Sequence, residues 1–258
     1  MTKFVLISDS TLSYEYRNFP LLDFLPCAPG KAVPEKVYKF MKGPAPPAKP
    51  NGETVFAPYA IRKLEASLLT KYRREDVAVA HEDYLSNFIK DDTEIIAVST
   101  MDPLGIGPTT MSYYALFGGK LDAWVRRDWD SLMEKINAVR QGKKAKLIVG
   151  GPGVWEFTIL RDEIEKYHFD YIFTGEADDI APLLFDQISR GDIDKSIFQE
   201  GYVSYDENFK RIVKKDPLFL SRGYSKSAYP RLEDIPPIVA PSVKGMVEVM
   251  RGCGVGCD

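Results

Sequence analysis

The 258-residue chain has few of the residues that most readily signal a function: three cysteines, two histidines and a net charge of −3. Three cysteines cannot build a disulfide framework. So small a net charge gives no general electrostatic hold on nucleic acid or on an anionic membrane. Long apolar runs are missing too. Stretches such as Glu94-Ile-Ile-Ala-Val-Ser99 are far too short to cross a bilayer. The start, Met1-Thr-Lys-Phe-Val-Leu-Ile, lacks the basic region, long apolar core and small-residue cleavage site of a signal peptide. These absences lead us to expect a cytoplasmic protein with neither a nucleic-acid nor a membrane partner.

What is present is ordinary for a globular chain, with 45% hydrophobic and 28% charged residues. Five short apolar runs read as buried strands: 3–8, 77–81, 94–99, 146–149 and 170–174. Helical spacing lies between them, at Ile61, Leu64, Leu68, Leu69 and Tyr72, with Arg and Lys interspersed. It recurs at Leu132, Ile136 and Val139 behind a cap at Asp130, at 160–167, and at 180–189. Strands alternating with helices predict an α/β domain, a doubly wound parallel sheet of flavodoxin-like form with insertions. The insertions are the Pro-rich stretch Asp9–Pro58 and the irregular Asp102–Arg127. We expect this domain over 1–195. A hairpin with its turn at Asp206–Asn208 and a Pro-marked linker follow over 196–245. A last strand at Met246–Met250 then opens a second domain over 246–258.

In doubly wound sheets ligands lie at the carboxyl ends of the strands. Small and polar residues collect there: Ser8-Asp9, Ser99-Thr100, Gly150-Gly151 and Gly175-Glu176. Gly150-Gly151 and Gly175-Glu176 also suit tight strand-to-helix turns. Gly105-x-Gly107 is no dinucleotide fingerprint, since no third glycine or helix start follows in register. Arg126-Arg127-Asp128 reads as a solvated corner and Cys27 as a packed loop thiol. His81 and His168 read as structural.

Cys253 and Cys257 stand in C-x-x-x-C spacing in a glycine-rich turn, which can present two thiolates to one metal centre. The string Arg251-Gly252-Cys253-Gly254-Val255-Gly256-Cys257 resembles the cluster loop of the radical S-adenosylmethionine enzymes, C-x-x-x-C-x-x-C. There three thiolates hold a [4Fe–4S] cluster whose open iron chelates S-adenosylmethionine. By that pattern the third cysteine would fall two residues after Asp258, so the fragment alone is expected to be inactive. The resemblance extends upstream to the cobalamin-binding domain that some of these enzymes carry. It rests on Gly150-Gly151-Pro152, Asp170-Tyr171-Ile172-Phe173-Thr174-Gly175-Glu176 and Leu232-Glu233-Asp234-Ile235-Pro236, in that order. The resemblance implies a cobalamin-dependent radical enzyme, with methyltransferase as a candidate class, partnered by the C-terminal radical domain of the same parent chain. Ser99 and Thr100 match the hydroxyl position on the dimethylbenzimidazole tail, Gly150 and Gly151 the glycines it packs on, and Gly175 and Glu176 the loop beside the nucleotide. The Asp-x-His-x-x-Gly that often supplies a cobalt ligand is missing after Ser8. Tyr14, Tyr16, Asp102 and Tyr113 are candidates to face the cobalt instead. The alternative is a degenerate docking module that binds a partner or substrate without cobalamin.

Overall fold

The computed structural model describes residues 2–194, 197–200, 218–221 and 231–249. The first apolar run is β1 (Phe4–Ser8), buried along its whole length. Asp9 then caps α1 (Ser10–Ser13), its carboxylate accepting from the amides of Thr11 and Leu12. The Pro-rich insertion is not structureless: 3-10 turns cover Tyr16–Asn18 and Pro20–Cys27, and α2 spans Glu35–Lys42. α3 (Tyr59–Leu68) leads to β2 (Val77–Val79), and α4 (Leu85–Phe88) to β3 (Ile95–Ser99). The second insertion also departs from expectation. It contains α5 (Pro108–Phe117), started by a proline at the first helical position and stopped at Gly118. The next helix, α6 (Trp124–Arg140), begins six residues before the expected cap, so Asp130 lies within it and accepts from the Tyr167 hydroxyl at 2.7 Å.

β4 (Lys146–Gly150) is followed by α7 (Glu156–Ile159) and two 3-10 turns, rather than one helix over 160–167. β5 (Tyr171–Thr174) and α8 (Ala181–Arg190) follow as expected. β6 (Gln199–Glu200) and β7 (Leu218–Ser221) are antiparallel to each other, and β7 pairs in parallel with β5. They therefore extend the sheet past residue 195. The expected turn at 206–208 lies outside the described residues. At the other predicted strand, 246–249 has no ladder partner among the described residues, and Met250 lies outside them.

The sheet order is β2-β1-β3-β4-β5-β7-β6. Its five-strand parallel core has helices on both faces, the predicted α/β, flavodoxin-like arrangement. Side chains alternate between faces along each strand, so one sheet builds two cores. Val5, Ile96, Val98 and Val149 meet Trp129, Leu132 and Ile136 of α6. Phe4, Leu6, Ala97, Ile148 and Phe173 meet Ile61 and Leu68 of α3 and Leu184 and Phe185 of α8. No helix among the described residues is long and apolar enough to cross a membrane.

The charged positions of α3 overturn a simple amphipathic reading. Arg62, Lys63 and Glu65 are buried with their apolar neighbours. The 231–249 segment covers them: Arg62 Nε donates to the Pro241 carbonyl at 3.0 Å, and Val243 N donates to the Ala57 carbonyl at 2.9 Å. Arg62 also pairs with Glu65 at 2.8 Å, and Arg74 holds the other oxygen of that carboxylate.

Candidate functional site: a cavity over the ends of β3, β4 and β5

The alternation that places Ala97, Ile148 and Phe173 against α3 and α8 carries on to the next outward position of each strand. Those positions are Ser99, Gly150 and Gly175, and they line one cavity of about 450 Å³. Its floor and walls are apolar: Ala97, Ile148 and Phe173 from the sheet, Ile61 and Leu64 from α3, Leu184 and Phe185 from α8. Its rim is polar, with Ser99, Glu176 and Asp178. An apolar slot with a few convergent polar groups is the usual form of a small-molecule site.

The two adjacent glycines have different physical reasons. Gly151 has φ +101°, and a Cβ on it would stand 2.5 Å from the Thr100 carbonyl oxygen and 2.9 Å from its amide. The backbone turn alone requires glycine there. At Gly150 a Cβ would meet nothing closer than the Phe173 carbonyl oxygen, at 3.9 Å. The fold tolerates a side chain at 150; the effect of glycine is to leave the cavity open. Gly175, with φ +105°, again serves its turn.

Of the six predicted contact residues, five line this cavity: Ser99, Gly150, Gly151, Gly175 and Glu176. Thr100 does not. The strand alternation turns it to the other face, where it is fully buried and donates its hydroxyl to Asp9 Oδ2 at 2.9 Å. That bond ties β1 to β3. Burial raises the Asp9 carboxyl above its ordinary range, against the lowering hydrogen bonds from Thr11 and Thr100.

The four candidates to face cobalt do not meet the cavity. Tyr16 is buried in a turn with three successive positive φ values, Tyr16, Arg17 and Asn18. Asp102 accepts from Gly107 N at 2.8 Å and from the Thr110 hydroxyl, holding the start of α5. Tyr113 lines a separate groove with Phe117, and Tyr14 lies under the Lys42 ammonium at 4.2 Å. That Lys42 corrects another expectation. It is buried and donates to Asp128 at 2.7 Å and Ser10 at 2.8 Å, while Tyr38 donates to the same Asp128 oxygen, so Asp128 is drawn inward from the expected solvated corner, where Arg127 stays exposed.

His81 lines a small cavity at the ends of β1 and β2 with Ser8, Ser10 and Ser13, away from the β3–β5 slot. Its Nδ1 accepts from Asp83 N at 3.1 Å, so Nε2 carries the hydrogen and offers no lone pair to a metal. His168 takes a left-handed conformation at the end of a 3-10 turn, φ +55°. Cys27 is half-buried, and burial raises its thiol. Cys253 and Cys257 lie outside the described residues. Among the described residues no group of three His, Cys, Asp or Glu side chains could hold a metal ion.

Sequence reasoning missed the cavity's helical wall and Asp178. The wall was in view as the α3 periodicity, but periodicity says which residues are buried, not that they stop short of filling the space. Comparison of the chain with protein-family models, with curated proteins and with solved structures returns no match, so the functional reading rests on these residues alone.

Proposed function

We propose that this chain is the cobalamin-binding domain of a cobalamin-dependent radical S-adenosylmethionine enzyme of the methyl-transfer class, and that the β3–β5 cavity takes the dimethylbenzimidazole tail. The observation that carries the proposal is Gly150: an opening kept free by a glycine that the backbone does not require. A flat bicyclic heterocycle suits a slot walled by Ile61, Leu64, Phe173 and Leu184. The Ser99 hydroxyl and Glu176 carboxylate stand at the rim, where a polar edge needs partners. When bound, the corrin would supply a cobalt centre able to carry a methyl group; these residues bind, orient and exclude water. In the same reading Cys253 and Cys257 supply thiolates to a [4Fe–4S] cluster that binds S-adenosylmethionine, in concert with a C-terminal radical domain.

The test is retention of corrin absorbance after the chain is mixed with hydroxocobalamin and desalted. Wild type should retain it. Gly150→Leu fills the cavity without a backbone clash, so it should stay folded by circular dichroism and lose most of the bound corrin. A folded wild type that retains none, or a Gly150→Leu variant that binds as well, refutes the assignment.

One observation favours the second reading, a docking module without cobalamin. The two insertions form an apolar groove of about 580 Å³ with Leu21, Leu22, Leu25, Tyr113 and Phe117 in its walls. The same absorbance measurement separates the two.

A further inference from the structure

The two insertions leave an apolar face uncovered. Among the described residues Leu21 is 70% exposed, Leu116 75% and Phe117 49%, and Phe19 and Phe24 are exposed near Leu21. Leu21 and Phe117 line the groove of about 580 Å³, which has the 3-10 turn Pro20–Cys27 on one side and α5 on the other. Tyr113 and Phe117, one turn apart on α5, hold their ring centroids 5.8 Å from each other and form the second wall. A surface seldom leaves so much apolar area open without a use.

The shape selects the occupant. With its walls this exposed, the groove would leave a small molecule wet along one side. None of its lining residues belongs to a strand, so an extended peptide finds no ladder edge to join. A furrow between two helical walls fits a third helix, which lays its apolar stripe into it. The charges select the polar side of that helix. The acids nearest the groove are matched: Asp23 is bonded to Lys244, Glu35 to Lys39 at 2.5 Å, and Asp122 to Arg127 at 3.9 Å. Glu15 lines a different pocket, with Arg17 and Lys42. The cations are not matched. Lys31 lines the groove, and Lys36 and Lys120 each stand three residues past a lining residue, Val33 and Phe117. None of the three forms an ion pair among the described residues. A Cβ on Gly118 would lie 2.9 Å from Lys31 Nζ, so this ammonium reaches the end of α5.

We propose that this groove docks an amphipathic helix of a partner protein, apolar on one face and acidic along its flanks. Leucine-sized side chains at i, i+3, i+4 and i+7 pack between Leu21, Leu25, Tyr113 and Phe117, and the flanking carboxylates meet Lys31, Lys36 and Lys120. The inference rests on the docking reading of the groove and names its partner. It does not need the β3–β5 cavity, with which the groove shares no lining residue.

The full chain is titrated into a fluorescein-labelled helix of about 18 residues, with leucine at i, i+3, i+4 and i+7 and glutamate elsewhere, and binding is read by anisotropy. The glutamate peptide should bind about tenfold more tightly than its lysine counterpart at low salt, and the preference should shrink as salt rises. Lys31→Glu combined with Lys120→Glu should reverse it. Leu21→Asp alters a side chain that is already mostly exposed, so it should stay folded and lose about tenfold or more in affinity. Gly150→Leu fills the other cavity and should leave peptide binding unchanged, which separates a failure here from a failure of the corrin reading. No binding of the glutamate peptide, equal affinity for the two peptides, or a Leu21→Asp chain that binds as well overturns the proposal. So does a different occupant: a dimer in sedimentation velocity that Leu21→Asp dissociates, or phosphatidylserine vesicles bound in preference to the peptide.

Discussion

Replacing Glu156 with glutamine should stabilise the protein, and by an amount that depends on pH. Glu156 is fully buried at the start of α7. Its Oε2 accepts from Leu104 N at 2.7 Å. Burial, then the hydrogen bond and negative charge of Asp102, push its carboxyl up to about 9 from an ordinary 4.5. Below about pH 4.5 the carboxyl is protonated both folded and unfolded, and it costs nothing. Between 4.5 and 9 only the folded chain must keep the proton. Stability then falls by up to about 1.4 kcal/mol per pH unit, so about 3 kcal/mol has gone by pH 7. Glutamine keeps an oxygen for Leu104 N, and it has no proton to lose. Glu156→Gln should therefore gain about 3 kcal/mol at pH 7, or roughly 6–12 °C in Tm for a domain of this size. Urea or thermal unfolding of both proteins at several values between pH 5 and 9 reads the difference, which cancels other titrating groups. A gap that does not widen with pH, or a glutamine variant less stable throughout, would refute the reasoning.

Two further substitutions bear on the strand ends. Gly151→Ala places a Cβ 2.5 Å from the Thr100 carbonyl oxygen at φ +101° and should cost about 2 kcal/mol or more, whereas Gly150→Ala should change Tm little; equal effects would contradict the distinction drawn between them. Thr100→Val removes the buried donor to Asp9 Oδ2 and should cost about 1–3 kcal/mol. Asp9 would then be raised further, so the loss should grow as pH climbs above the ordinary aspartate range, and a loss that shrank with pH would count against it.

The five parallel strands were legible because each is a short apolar run bounded by polar or turn residues, and burial on both faces requires that. The cavity was legible in outline for a related reason. Once the strands are placed, alternation sends Ser99, Gly150 and Gly175 to one side. The same alternation sends Thr100 to the other, and reading Ser99-Thr100 as a pair concealed it. The insertions were not legible. α5 has apolar and polar residues on every side, since Tyr114 is buried while Met111, Leu116 and Phe117 are exposed, so no stripe marks it in the sequence. The charged side of α3 misled in the opposite sense. Arg and Lys between apolar residues normally mean solvent, but here a segment 179 residues further on supplies the Pro241 carbonyl that buries Arg62. No local pattern encodes a partner so distant.

The position of the cavity follows from what occupies the crevice beside it. In the order β2-β1-β3-β4-β5 the chain reverses direction across the sheet between β1 and β3, and open α/β sheets usually bind ligands at that point. Here the crevice is filled from within the protein. Thr100 at the end of β3 donates to Asp9 at the end of β1, and the Asp9 carboxylate also caps α1. Lys42, Asp128 and Tyr38 pack a hydrogen-bonded cluster beside it through Ser10. Opening this crevice would strand a buried carboxylate and a buried ammonium, each costing several kcal/mol. The space left for a ligand is therefore displaced along the sheet to β3, β4 and β5, where the strand ends carry serine and glycine instead of a charged cluster. A ligand that enters there meets the apolar faces of α3 and α8 and the polar rim together. That combination suits a molecule with a flat apolar part and a polar edge better than a nucleoside di- or triphosphate, which would require the amide-rich turn that Asp9 has already taken for α1.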